Sequence, residues 1–402
     1  MIPGSFWMYL GSRFCSATAM TLLRAAVYWH VFELSHSTFQ LGLIGLAQFV
    51  PAVSLTLVGG AVADAYDRRR IMRLAQLPLL ASAAVLFFAT QGGGVSVPLL
   101  YAAVFSNSVA FAFDSPARQA LLPSLVPLES FPRAVTIAST ATALSFATGP
   151  ALGGLLIAEF GVASAYAAYA VLVALNALGL GFVREVRPPA ERRAPSWHAV
   201  REGLGFVRRN PIVLGCMSLD MLAVILGGAT ALLPVYAKLL DVGPRGYGLL
   251  TSSLELGALA MALLLLLRPP IERAGRALLA AVAVYGVATI VFGLSRAFPL
   301  SVAAYLVVGM ADQVSVVLRQ TAIQLATPDA LRGRVSAVNM IFIAASNQLG
   351  AVESGFLAAA TSPTFAVVAG GVGCLVVVAW TAWRLPELRG YRVHAGVPAA
   401  AQ

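Results

Sequence analysis

The sequence predicts an all-α membrane protein of twelve transmembrane helices in two pseudo-symmetric six-helix bundles, with both termini cytoplasmic. Three observations predict it. First, 59% of the 402 residues are hydrophobic and only 11% are charged, whereas soluble domains carry roughly 25% charged residues. Twelve crossings of about 20 apolar residues each would use nearly all of that apolar content. Second, the basic residues fall almost wholly on one side of the inferred spans. Third, the two halves of the chain repeat at a constant offset. The composition excludes a soluble enzyme, a disordered chain and a coiled coil. The apolar runs are long and continuous, unlike the alternating segments of about ten residues in a transmembrane barrel.

Reading apolar runs against breaks at Pro, Gly and charge places the spans in order. They are 6–32, 39–61, 71–91, 98–121, 134–158, 163–183, 212–237, 247–267, 277–295, 299–318, 335–358 and 364–383. The first holds Arg13 and Arg24 and lacks the basic n-region of a cleavable leader, so it reads as part of the mature protein. The tenth and eleventh are the most polar, with Asp312, Asn339, Asn347, Gln348 and Glu353. With residue 1 inside, the inner loops, the central loop and the tail hold 22 Arg; the outer loops hold Lys238, Arg245 and Arg296. That asymmetry places both ends inside and requires an even number of spans. It also explains the net charge of +10 without nucleic acid: the excess marks the inner face.

The domains follow as an N-terminal bundle over 1–183, a cytoplasmic linker over 184–211, a C-terminal bundle over 212–384 and a cytoplasmic tail over 385–402. The linker begins rich in Pro and charge. Its second part, Ser196 to Arg209, fits an amphipathic helix on the inner leaflet, capped by Ser196, with Trp197, Val200, Leu204 and Val207 as its apolar stripe. A plain tether between the halves fits the same composition. A shift of 201 residues aligns Arg118-Gln119 with Arg319-Gln320, Pro127 with Pro328, Arg133 with Arg334, Gly149 with Gly350 and Gly154 with Gly355. Duplicated bundles of this kind are a known plan for secondary transporters.

Several chemistries are absent from the sequence. A phosphate loop needs a Lys after its glycines, and the only Lys, Lys238, follows Ala237. There is no HExxH motif. Cys15, Cys216 and Cys374 are scattered in apolar runs, with no metal spacing and no disulfide framework. The expectation is no cofactor, no metal and no enzymatic activity.

Between spans 2 and 3 the chain reads Gly60-Ala-Val-Ala-Asp64-Ala-Tyr-Asp67-Arg68-Arg69-Arg70. Here Gly60 would permit close helix packing, Asp64 would sit at a helix N-terminus, and the arginines would hold the turn inside. This stretch resembles the loop signature of the major facilitator superfamily, with Ala65 and Asp67 replacing a basic residue and a glycine. Span 5 reads Gly149-Pro150-Ala-Leu-Gly153-Gly154 and is similar to that superfamily's antiporter motif, though Ser145 stands where an upstream glycine belongs. His36 to Gly42, Phe113 to Pro127 and Thr327 to Val335 resemble the branch of enterobactin exporters, transmembrane secretion effectors and macrolide efflux proteins. The resemblance covers about residues 6–384. It implies glycine-mediated packing of span 5 against the other half, a central cavity lined by spans 1, 4, 7 and 10, and an inward gate in which Asp114 meets Arg68. A blander role for Asp114 is an ion pair with Arg118, four residues on.

Charge at bilayer depth is expensive and marks candidate function. Arg13 and Arg24 share a face with Ala17, Thr21 and Tyr28, a stripe expected to face the cavity, with Arg24 placed for an anionic or catecholate group. Asp220, near mid-membrane with apolar flanks, leads the proton-coupling candidates, followed by Glu255 and Asp312, since burial favours a carboxyl that can load a proton. Asp312 could instead pair with Arg319 or Arg24. Tyr305 lies one face along from Asp312 and completes the cavity set. Asn339, Ser346 and Glu353 form a polar stripe along span 11.

Together these features point to a multi-pass protein of a bacterial inner membrane, monomeric, with lipid, protons and a small molecule as its partners and no nucleic acid. The expected task is proton-driven antiport that exports a siderophore-like compound or lipophilic drug. A proton-coupled uptake symporter and a non-transporting sensor on the same fold are the rival expectations.

Overall fold

The computed structural model describes residues 3–183, 197–268 and 271–392. Among the described residues the regular structure is entirely helical. In chain order the helices are α1 (Gly4–Ser35), α2 (Thr38–Ala65), α3 (Arg68–Gln91), α4 (Val97–Leu121), α5 (Phe131–Phe160), α6 (Val162–Phe182), α7 (Trp197–Arg209) and α8 (Pro211–Gly227). They continue with α9 (Leu233–Leu239), α10 (Gly243–Leu266), α11 (Ala274–Leu294), α12 (Phe298–Ala326), α13 (Arg332–Ala360), α14 (Pro363–Arg384) and α15 (Pro386–Gly390).

Eleven segments among the described residues are long and apolar enough to cross a membrane, α8 and α9 counting together as Pro211–Leu239. The 32-residue α1 is not one of them. Its Arg13, Arg24, His30 and Glu33, with several Ser and Thr, dilute its hydropathy. Four helices carry interior prolines, Pro51, Pro78, Pro116 and Pro150, which membrane helices tolerate where neighbours take up the freed carbonyls. The repeat reappears in the helix starts: α4, α5 and α6 begin at Val97, Phe131 and Val162, and α12, α13 and α14 begin 201 residues later, at Phe298, Arg332 and Pro363.

The chain forms two compact units. Unit 1 is Met1–Pro195 with Asp241–Ser252; unit 2 is Ser196–Leu240 with Ser253–Gln402. In unit 1, α1 packs along α5 and α6, α2 along α4, and α3 between α4 and α6. A core at one end of the unit is built from Phe6, Tyr9, Met72, Leu121, Leu125 and Leu180. The turn from α5 into α6 is made by Gly161, whose φ of 80° suits a residue without Cβ. In unit 2, α11 packs against α12 and α14, and α8 against α13 and α14.

The helix α7 is not an inner-leaflet float. Val207 is buried in the unit 2 core and Leu204 packs against it. Glu202 pairs with Arg334, and Gly203 lies where any side chain would press on the Arg334 carbonyl, 2.8 Å away. Leu204 and Val207 therefore serve protein packing. Ser196, its expected cap, lies outside the described residues, as do the side chains of Trp197 and Val200.

Candidate functional site

Two polar centres are built inside the apolar bundles. The one in unit 1 starts from Asp114 and Arg118, one helical turn apart on α4, both less than one-tenth exposed. Arg118 donates twice to Asp114, Nε to Oδ2 at 3.0 Å and Nη2 to Oδ1 at 3.2 Å. Gln76 of α3 donates to Asp114 Oδ1 at 3.2 Å and accepts from Asn176 Nδ2 of α6 at 2.7 Å. Ser12 of α1 donates to Asn176 Oδ1 at 2.6 Å, and Tyr9 donates to the Arg118 carbonyl at 3.0 Å. Arg13 reaches Thr142 of α5 at 2.7 Å and the Tyr9 hydroxyl at 3.2 Å. Five helices thus meet at one satisfied network, which is how a buried charge is tolerated. Gln76 and Asn176 escaped the sequence reading. Their signal was a lone amide in the middle of an apolar run, which must find a partner across helices.

Of the two roles expected of Asp114, the structure shows the pair with Arg118 and no bond to Arg68 among the described residues. Asp114 is spent on Arg118 and Gln76, while Arg68 donates to the Ala120 carbonyl at 2.9 Å. Arg69 and Arg73 likewise reach the Val183 and Leu180 carbonyls near the end of α6. Cations at helix C-termini complement the helix dipole. Asp67 caps α3 by accepting from Arg69 and Arg70 amides at 2.9 and 3.3 Å. The Asp64 side chain lies outside the described residues. Gly60 faces open space; its neighbour Gly59 is the residue pressed on the Ala112 backbone.

The polar stripe of α1 is also redirected. Thr21 is 1% exposed, and its hydroxyl points to the Ala17, Thr18 and Ser145 carbonyls. Gly149 has no side chain to hold α5 off, so the α5 backbone closes over Thr21. Tyr28 is buried too, and Arg24 is half-buried. Gly153 lies beside Leu22 of α1, and Pro150 sits within α5. Gly154 abuts Gly248 of the Asp241–Ser252 segment, still within unit 1. There Tyr247 donates to the Ala25 carbonyl, Ser252 to the Ala147 carbonyl, and Arg245 pairs with Glu159. Gly149 and Gly153 therefore pack on α1, while Gly154 packs on α10, a helix from the second half of the sequence, as the resemblance implied.

The second centre is a small pocket in unit 2 with about 10 Å³ of free space, room for about one water, lined by Asp220, Val224, Tyr285, Asp312 and Ser315 among others. Arg319 of α12 pairs with Asp220 of α8, both nearly buried. Asp312 is not its partner: seven residues along one helix is about 10 Å of rise, whereas α8 packs directly on α12. Glu255 lies near enough to Asp312 for their charges to interact. Tyr305 does not line this cavity; it bonds Thr230 at 3.1 Å and stacks on Phe292. Ser346 donates to its own helix at the Ile343 carbonyl, and Glu353 Oε2 is buried without a partner among the described residues.

The span carrying Asp220 is broken beside the cavity. α8 stops at Gly227, a short turn runs from Ala229 to Leu232, and α9 resumes at Leu233. Tyr285 donates to the freed Gly227 carbonyl at 3.1 Å and Cys374 to the Ala223 carbonyl at 3.3 Å. Interrupted membrane helices with ionisable side chains beside the break are a device of secondary transporters.

The family profile described as transmembrane secretion effector matches residues 6–396. The chain belongs to that family. This secretion effector, a major facilitator protein, is 28% identical over 385 residues to the enterobactin exporter EntS of Escherichia coli O1:K1, covering 95% of the chain and 92% of the relative. The EntS of E. coli O139:H28 is equally similar. Among solved structures, a POT family transporter in complex with 5-aminolevulinic acid superposes with a TM-score of 0.74 at 11% identity, over 96% of this chain and 97% of that one. The human organic anion transporter MFSD10 gives 0.66 at 15% identity, over 94% and 100%. These two likenesses show the fold. The family and the exporter relatives make this a multi-pass membrane transporter of the facilitator type.

Proposed function

We propose that the chain is a proton-coupled antiporter that exports a small organic molecule across a bacterial inner membrane by alternating access. The crossing count becomes twelve with α1, whose 32 residues are long enough to span. Its polar side chains at Ser12 and Arg13 are satisfied inside unit 1, which removes the penalty that hydropathy charges against them. The arginine-rich loops lie on the cytoplasmic side with both termini. The working unit is a monomer without cofactor.

The observation that carries the reading is the unit 2 cavity, where Asp220, Arg319 and Asp312 gather beside a broken helix. With all three ionised, the group carries one negative charge. One proton neutralises it, and a neutral group is far cheaper to hold in a closed, dry state than a charged one. Proton binding then drives the change of state, and cargo leaves as the proton enters. Glu255 sits beside this group as a relay. The relatives' printed role in enterobactin export supports a siderophore-like cargo over a lipophilic drug, and the partial antiporter motif in α5 supports export.

The test is purified protein in liposomes under an imposed pH gradient, with a pH-sensitive dye and a panel of catecholate siderophores, macrolides and lipophilic cations. One class should trigger proton flux opposite to its own movement. Asp312→Asn should retain cargo binding and lose the proton flux. Cargo and protons moving together would replace export with symport. Silence across the panel with folded protein would favour the sensor.

A further inference from the structure

Unit 2 contains a second opening, far larger than the Asp220 cavity. It is a solvent-open cleft of about 410 Å³ at the arginine-rich ends of α12 and α13. Its walls are two facing stripes. Gln320, Gln324 and Thr327 follow one face of α12 and its exit; Arg332, Ser336 and Asn339 follow one face of α13. Both stripes have the i, i+4, i+7 spacing of a single helix face. Ile323 and Val335 supply the apolar floor.

The fold does not require this polarity. At the 201-residue offset, the positions of Gln324, Thr327, Arg332, Ser336 and Asn339 are occupied in unit 1 by Pro123, Val126, Phe131, Val135 and Ala138. Val126 and Ala138 are buried there, and Phe131 packs against the core. Pro123 and Val135 are exposed. The same helix–turn–helix therefore carries apolar groups in one repeat, some of them buried, and hydrogen-bonding groups in the other.

Asn339 gives the second, independent observation. It is 4% exposed, lines the cleft, and its Oδ1 accepts no hydrogen bond from any described residue. A buried amide oxygen left unpaired is costly, so the site wants a donor. Arg332 supplies the opposite need. Its guanidinium pairs with Asp329, an exposed partner, and such surface pairs are weak enough to exchange for a ligand's anion.

We propose that this cleft binds a small organic anion carrying its own hydroxyl groups. The anionic group meets Arg332, a hydroxyl donates to Asn339 Oδ1, and the remaining hydroxyls meet Gln320, Gln324 and Ser336. The apolar floor takes a flat hydrocarbon face. The inference rests on the export reading and deepens it: the cleft is where cargo is first held on the arginine-rich side.

The probe is radiolabelled 2,3-dihydroxybenzoate, with benzoate as the analogue lacking hydroxyl donors, measured by equilibrium dialysis against the full-length protein in detergent. The wild type should bind the dihydroxy acid saturably and benzoate at least about ten-fold more weakly, the usual cost of one unpaired buried polar group. Asn339→Leu and Arg332→Gln should each weaken binding by about ten-fold or more. Gln119→Leu, at the unit 1 position matching Gln320, should change nothing. Arg332 is exposed, so its variant tests the site even if Asn339→Leu folds poorly. No saturable binding by the wild type, or unchanged binding in Arg332→Gln and a folded Asn339→Leu, overturns the proposal. Liposome flux separates it from the export reading. Wild-type flux with unaltered KM in the cleft variants overturns the cleft and leaves export standing. Binding lost in the variants with no wild-type flux upholds the cleft as a binding site and overturns export.

Discussion

Arg118 has every one of its roles inside unit 1, and removing it isolates a buried carboxylate. Arg118→Met should destabilise the protein by about 3–5 kcal/mol, because Asp114 is left without its counter-charge. Thermal melting of the detergent-purified protein checks this, and the double variant Arg118→Met with Asp114→Leu should recover most of the loss. Asp220→Asn should behave similarly in unit 2: it strips Arg319 of its partner and lowers the melting temperature, whereas Asp312→Asn should melt close to wild type. At this scale the sequence was legible only along one helix. The Asp114–Arg118 pair follows from a spacing of four. Arg319 and Asp220 lie on different helices, and so do Gln76 and Asn176; helical periodicity carries no information about which helix will stand opposite. The same limit sent Thr21 to the wrong surface, since the approach of α5 depends on Gly149.

The helices show what a hydropathy profile sees and what it averages away. Eleven apolar segments are plain in the sequence because each is a run of suitable length. The break between α8 and α9 is not, because both pieces are equally apolar; Gly227-Gly228 and Pro234 were the available signals. Close helix approach also turns on single positions. Gly59→Val should place a side chain against the Ala112 backbone and reduce the yield of folded protein sharply, since overpacking commonly costs about 1–3 kcal/mol or more. Gly60→Val should be nearly neutral, because Gly60 faces open space. Size-exclusion profiles of the two variants in detergent compare them directly. Equal yields would contradict the packing assigned to α2 and α4.

For the whole molecule, the duplicated plan was legible from five matches at one offset, and the helix starts reproduce that offset. The orientation in the membrane rests on arginine distribution and has a direct check. In a variant lacking Cys15, Cys216 and Cys374, a cysteine at Arg296 should react with an impermeant maleimide in intact spheroplasts. Cysteines at Arg70 or Arg389 should react only after permeabilisation. The reverse pattern would invert the topology. Less legible was the grouping of Asp241–Ser252 with unit 1. Composition gives that segment no special mark; its attachment depends on Gly154 and Gly248 both lacking side chains where they meet.

The interrupted span has a consequence for the order of assembly during synthesis. At about 1.5 Å per residue, α8 reaches about 25 Å and α9 about 10 Å, each short of the hydrocarbon thickness. The groups that quiet the exposed carbonyls at the break, Tyr285 and Cys374, and the Gly293 carbonyl that anchors Tyr236 of α9, are all translated later. When the ribosome has completed only α8 and α9, the stretch is apolar and long enough to cross as one segment, but its break still lacks these partners. A nascent chain stopped before Tyr285 should therefore remain bound to the insertion machinery in crosslinking experiments, and one extended past α14 should be released.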